Sequence, residues 1–229
     1  MPMPYRDRRD AGRQLAAHVA HYASDPRVLV LALPRGGVPV AYEVALALRA
    51  PLDVCIVCKL GAPGREELAI GAIASGGRAV FNAAILRGLD LPAAAIEAVV
   101  VRAEAEIARR ELAYRHGRPA PVIRGRVVLL IDDGLATGAT MRVAVRALRQ
   151  QGPACLAVAV PLGAPGICAA LAHEVDDLVC AAMPESFYAV GAWYDQFEQT
   201  TDDEVRALLR EAARRSSPAS IDDTEGPRT

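Results

Sequence analysis

Two patterns of apolar positions alternate along the chain. Short continuous apolar runs recur at 27–33 (RVLVLAL), 126–131 (RVVLLI), 155–162 (CLAVAVPL) and about 177–182. Runs of this kind predict strands buried on both faces. Helical periodicity fills the intervals. Residues 10–23 place Leu15, Val19 and Tyr22 on one stripe, and VPVAYEVALALRA carries Pro39 in its first turn, where a missing N–H costs nothing. A long helix is expected from about Pro92 to Arg115, capped by Asp90. Its packing face holds Ile96, Val99, Val100, Ala103, Ile107 and Tyr114, and Glu106 pairs with Arg110 on the wet side. MRVAVRALRQQ stops at Gly152 and Pro153, a short helix covers 166–173, and DDEVRALLREAARR is the last helix. A further strand, LDVCIVCKL, opens after Pro51 and ends at Lys59. The polar, glycine-rich stretch 61–77 reads as a mobile loop or a hairpin.

Strands alternating with helices predict an α/β fold: a parallel sheet with right-handed crossovers and helices on both faces. Residues 1–214 are expected to form this domain. The polar, apolar-poor segment 215–229 is expected to be a disordered tail.

Charge narrows the field. The formal net charge is −1, with basic and acidic residues nearly balanced, so neither a nucleic-acid nor a membrane partner is expected. No apolar run is long enough to span a bilayer, and the charged start MPMPYRDRRD lacks the apolar stretch of a signal peptide. A cytoplasmic location follows as the expectation. The five cysteines include Cys55 and Cys58 in an apolar run. An odd separation on a strand sends them to opposite faces, so they are read as packed thiols. His18 and His21 on the first helix lack companion ligands and are read as surface or packing residues.

Chemistry gathers at strand ends, where open α/β sheets bind ligands. Pro34, Arg35, Gly36 and Gly37 follow the first strand and lead into a helix. Lys59 ends the second strand. IDDGLATGAT follows the third and leads into another helix. Helix starts present free N–H groups and a positive dipole end, and glycines let the backbone approach phosphate oxygens. In the third loop Gly134, Ala136, Thr137, Gly138, Ala139 and Thr140 form such a cradle, with Arg35 and Lys59 adding positive charge. Asp132 and Asp133 would repel a phosphate, so they call for sugar hydroxyls or, indirectly, a divalent metal. The combined pattern asks for a sugar with vicinal hydroxyls and phosphate at both ends. The lysine of a Walker loop is absent, and no G-x-G-x-x-G follows a strand.

VLLIDDGLATGAT (Val128 to Thr140) resembles the signature of type I phosphoribosyltransferases. LPRGGVPVA, KLGAPGREELAIGA, YRHGR and ESFYAVGAWYDQF extend the likeness to a bacterial group of phosphoribosyltransferases whose acceptor is unassigned. The resemblance spans about Arg8 to Arg210. It implies a glycosyltransferase that uses Mg²⁺ with phosphoribosyl pyrophosphate. Ala136 to Thr140 would hold the ribose 5-phosphate, and Asp132 and Asp133 the ribose hydroxyls. Pro34 to Gly37 would form the pyrophosphate loop, with Arg35 and Lys59 sharing its charge. Residues 61–77 would be the flexible loop, and 5–23 and 184–200 a hood over the acceptor. A homodimer is implied as well.

Two positions depart from the pattern. Cys58 stands where the resemblance leads one to expect arginine. Ala136 stands where 6-oxopurine enzymes carry an aspartate, which leaves Glu67 or its neighbour Glu66 as the candidate acid/base, against a reading of both as solvated loop carboxylates. Phe187, Tyr188, Trp193 and Tyr194 either stack on a planar base or pack the hood. A non-catalytic regulator that binds phosphoribosyl pyrophosphate, and a nucleic-acid-binding regulator on the same fold, are the rival readings.

Overall fold

The computed structural model describes residues 5–89 and 91–216. Its centre is a parallel five-stranded sheet in the order β2-β1-β6-β7-β8, made of β1 (Val28–Ala32), β2 (Leu52–Val54), β6 (Val127–Ile131), β7 (Cys155–Leu162) and β8 (Asp177–Ala182). The inner strands β1, β6 and almost all of β7 are buried on both faces because helices cover both, whereas β8, at the edge, is only half-buried along its length rather than buried as its apolar run leads one to expect. Along β1, Val28, Val30 and Ala32 enter one apolar cluster while Leu29 and Leu31 enter the other. Along β6, Val127, Leu129 and Ile131 alternate with Val128 and Leu130 in the same way. This period of two explains why the strands read as unbroken apolar runs.

Four helices contribute to the first cluster: α1 (Arg8–His18), α2 (Gly37–Leu48), α4 (Ala93–Arg115) and α7 (Asp202–Ser216). The second is covered by α5 (Ala139–Gln150) and α6 (Pro165–Ala172). The chain runs outward from β1 to β2 in one direction and to β6 in the other. The sheet's topological switch point therefore lies between β1 and β6, and the turns that follow these two strands diverge there.

The second strand departs from expectation. Instead of running from Leu52 to Lys59, it breaks at Cys55–Ile56, and the chain leaves the main sheet. Val57–Ala62 (β3) then pairs antiparallel with β4 (Arg65–Ala74), and β4 pairs with the short β5 (Val80–Phe81). The glycine-rich stretch is thus largely a hairpin strand. A continuous apolar run cannot reveal that it serves two sheets in turn. The separation of the two thiols survives the break: Cys55 joins one core cluster and Cys58 packs against the other.

A short helix α3 (Ala83–Arg87) follows β5, capped by Asn82, whose side chain accepts from the Ala84 and Ile85 N–H groups. Helix α4 is entered through Pro92 without a side-chain cap, and Asp90 lies outside the described residues. Glu106 pairs with Arg109 at 2.7 Å rather than with Arg110, whose guanidinium lies 5.8 Å from the Tyr114 ring. The foot of α4 is fixed by a buried ion pair from Arg115 to Asp53 on the edge strand, at 3.0 Å, with Glu111 on the same guanidinium at 3.2 Å.

Candidate active site

The turn after β1 and the turn after β6 face each other across the switch point at backbone distance. A Cβ on Gly37 would lie 2.8 Å from the Ile131 carbonyl and 2.9 Å from Asp132 Cα. One on Gly36 would overlap Asp133 Oδ2. Only glycine lets the two turns approach this closely. The Pro34–Arg35 peptide is cis, and α2 begins at Gly37. Arg35 is half-buried, and its charge helps to hold the Asp202 carboxyl below its ordinary value, a shift led by the Tyr114 hydroxyl, which donates to Asp202 at 2.5 Å.

In the second turn Leu135 is pinned to the end of β7. Its N–H donates to the Leu162 carbonyl at 2.9 Å, and its own carbonyl accepts from Ala164. Gly138 then takes a left-handed conformation (φ 71°) and opens α5. Ala136, Thr137, Ala139 and Thr140 are arrayed around that helix start; Thr137 Oγ1 accepts the Ala139 N–H at a long 3.5 Å, and the N–H groups of Thr140 and Met141 have no side-chain cap. Open amides at a helix N-terminus are a ready anion cradle.

Asp132 and Asp133 stand between these turns. Asp132 Oδ1 accepts the Asp133 N–H at 2.9 Å. Burial and the neighbouring carboxylate push the Asp132 carboxyl well above its ordinary value. Asp133 Oδ2 accepts from Arg8 Nε at 2.7 Å, and its backbone carbonyl accepts from the Tyr194 hydroxyl at 2.6 Å. Gly134 is closed over by Val190, 2.6 Å from a Cβ built there.

Lys59 is not at an end of the main sheet. It lies exposed within β3, where its ammonium donates to the Glu67 carbonyl at 2.8 Å across the hairpin. It still reaches the second turn's surroundings, since it lines a cavity of about 570 Å³ with Ala139, Thr140 and Arg146. A neighbouring cavity of about 560 Å³ joins Lys59, Glu66 and Glu67 to Cys58, Arg102 and Arg110 of the α4 side. Burial raises the Cys58 thiol, and the Arg110 charge beside it acts the other way. A cation thus stands next to the neutral residue at position 58, delivered by a different element.

Residues 5–8 and 187–198 meet above the Asp turn. Tyr5 N–H donates to the Trp193 carbonyl at 2.8 Å, and Tyr5 and Tyr194 are buried with centroids 5.6 Å apart. Phe187 and Trp193 pack against this cluster, whereas Tyr188 is 90% exposed. Packing therefore accounts for Tyr194. Arg8 escaped the sequence reading: its only signal was membership of the run Arg6, Arg8, Arg9, and nothing local marks which arginine turns inward. Among the described residues, no group of three or more potential metal ligands is assembled, and no helix is long and apolar enough to cross a membrane.

Fold and site define a class: a doubly wound α/β domain whose switch point brings two glycine-bearing turns to either side of a carboxylate pair. The phosphoribosyl transferase domain profile matches residues 6–180, and the chain belongs to this family. Two Mycobacterium tuberculosis proteins, provisionally named phosphoribosyl transferases, are 48% identical over 210 residues, covering 92% of this chain. The chain spans about half the length of these relatives, 47% of each. The crystal structure of the protein TT1426 from Thermus thermophilus is 42% identical with a TM-score of 0.78, covering 91% of this chain and 99% of that one.

Proposed function

We propose that the chain transfers a phosphoribosyl group from phosphoribosyl pyrophosphate to a nitrogenous acceptor, a nucleobase in the first instance, and releases pyrophosphate. One observation carries this reading: the turn of Arg35 and Gly36 after β1 and the open start of α5 after β6 flank Asp132 and Asp133 at the switch point. That arrangement of glycine turn, carboxylates and open helix start suits a diol with phosphate at both ends.

In this reading the amides of 136–140 and the Thr137 and Thr140 hydroxyls hold the 5-phosphate. Asp132 and Asp133 accept the ribose hydroxyls. Gly134 lets the chain pass beneath Val190. In the turn Pro34 to Gly37, Arg35 and Gly36 offer their backbone N–H groups to the pyrophosphate, since Pro34 has none and that of Gly37 is held by the Leu33 carbonyl, and Arg35, Lys59 and Arg110 bring positive charge toward it. Displacement at C1 passes through an oxocarbenium-like state, so the protein's main task is to stabilise the departing charge and exclude water. Glu67, or Glu66 beside it, is the proposed handler of the acceptor's proton. The donor set fits Mg²⁺ as a guest of the substrate, since two adjacent carboxylates with one bound to Arg8 make a sparse site, and Mg²⁺ readily takes its remaining ligands from phosphates and water. Bound there, it would neutralise pyrophosphate charge.

The proposed setting is a cytoplasmic homodimer, and the exposed Val101 and Leu112 on α4 supply an apolar face for a second copy. The direct test is pyrophosphate release from Mg²⁺–phosphoribosyl pyrophosphate across a panel of purines, pyrimidines and other amines. Release with one acceptor class is the expected result. Calorimetry that finds no binding of phosphoribosyl pyrophosphate would refute the proposal.

A further inference from the structure

Arg8 stands where three segments meet. Its Nε donates to Asp133 Oδ2 at 2.7 Å, and its Nη1 donates to the Glu198 carbonyl at 2.7 Å. Its guanidinium carbon lies 3.9 Å from the Phe197 ring centroid. A Cβ on Gly36 would come within 3.2 Å of its Nε, so the turn after β1 closes the remaining side. The pair is largely withdrawn from solvent, with side-chain exposures of 12% for Arg8 and 16% for Asp133. A continuous path then runs outward. Phe197 packs on Tyr194 at 5.0 Å, Tyr194 on Tyr5 at 5.6 Å, and the Tyr5 N–H bonds to Trp193.

A carboxylate has two oxygens. Arg8 takes Oδ2, and among the described residues Oδ1 has no hydrogen-bond partner, so a ligand hydroxyl can approach it. The planar guanidinium can face a carboxylate, a carbonyl and an aromatic ring at once, which an ammonium cannot.

We infer that Arg8 is a positioning residue that fixes which oxygen Asp133 offers to the sugar and links occupancy of the sugar subsite to the segment 193–198 above it. This rests on the phosphoribosyl reading of the site. Removing Arg8 leaves Asp133 without its charge-assisted bond and free to rotate. It also uncouples the aromatic segment from the turn.

The chain has one tryptophan, Trp193, which makes the link observable. Ribose 5-phosphate is titrated into wild type, R8Q and R8K, with calorimetry for affinity, Trp193 emission for the upper segment and circular dichroism for folding. Wild type binds and its Trp193 emission changes. R8Q loses affinity about tenfold or more, as expected for loss of a charge-assisted hydrogen bond that orients a ligand group, and the Trp193 response disappears. R8K regains most of the affinity but only part of the response, because an ammonium cannot span Asp133 and Glu198 together. R8Q within twofold of wild type and with the same response would overturn the inference, as would a wild type whose Trp193 is silent on binding. If R8Q does not fold, R8K decides: a full wild-type response there is equally fatal. Wild type that binds neither ribose 5-phosphate nor phosphoribosyl pyrophosphate removes the underlying reading as well, which separates the two failures.

Discussion

The turn after β6 and the hairpin that carries Lys59 hold their charge in opposite ways. The turn grows out of a strand with every residue buried, is locked to β7 through Leu135, and is met by Gly37 at its backbone and by Gly36 at the Asp133 carboxylate. Its positive potential comes from amides that cannot move without unravelling a helix. The hairpin offers side chains instead. Lys59, Glu66 and Glu67 are all exposed, and the only hydrogen bond of the Lys59 ammonium among the described residues goes to a carbonyl of its own hairpin. Groups that bind a ground-state phosphate profit from the first design, because pre-ordered donors lose little entropy. Groups needed only as charge departs can be supplied by the second.

Substitutions can break this contrast or sharpen it. G36A is expected to act most strongly, since its Cβ would overlap Asp133 Oδ2. Overpacking of this kind costs about 2 kcal/mol, and misplacing the turn by an ångström costs on the order of 10²-fold in function. Urea denaturation and ribose 5-phosphate calorimetry would both register it. Next comes K59A, expected to lower kcat by about 10²-fold as loss of a charge stabiliser does, with ribose 5-phosphate affinity unchanged. An effect confined to acceptor KM would contradict the role given to Lys59. E66Q/E67Q is expected to slow turnover by about 10²-fold, the low end for general acid/base groups. Unchanged turnover ends that assignment.

The smallest effect is a pH dependence. Asp132 has its carboxyl raised above the ordinary 3.8, so the folded chain binds a proton that the unfolded chain has released. Wild type should then lose stability as pH rises from about 4 through the raised value, and D132N should not. The gap between the two midpoints in urea should widen toward neutral pH and close in acid.

Much of the frame was legible because burial on both faces leaves a plain record. VVLLI and VLVLA can be little else than central strands, and the amphipathic spacing of Met141, Val145 and Leu148 marks α5. The turns were legible because glycine, threonine and paired acids are rarely placed together after a strand. The hairpin was harder. Ile56 and Leu60 are as buried as any strand residue, so the apolar record continues while the hydrogen-bonding partner changes. Arg8 and Arg110 were harder still. Each acts on a residue distant in sequence, Asp133 and Cys58, and tertiary placement of a long cation leaves no local trace.

The excursion from Val57 to Phe81 has a practical consequence. It departs after β2 has lent only Leu52–Val54 to the central sheet, and its outer bend passes through Gly64, around which a side chain would meet nothing within 4 Å. Gly64 holds a positive φ of 73°, so the bend itself favours glycine, but residues inserted beside it would extend into open water. A fluorophore or short epitope grafted there would ride on the β3–β4 ribbon and report its movements while leaving the phosphate cradle untouched.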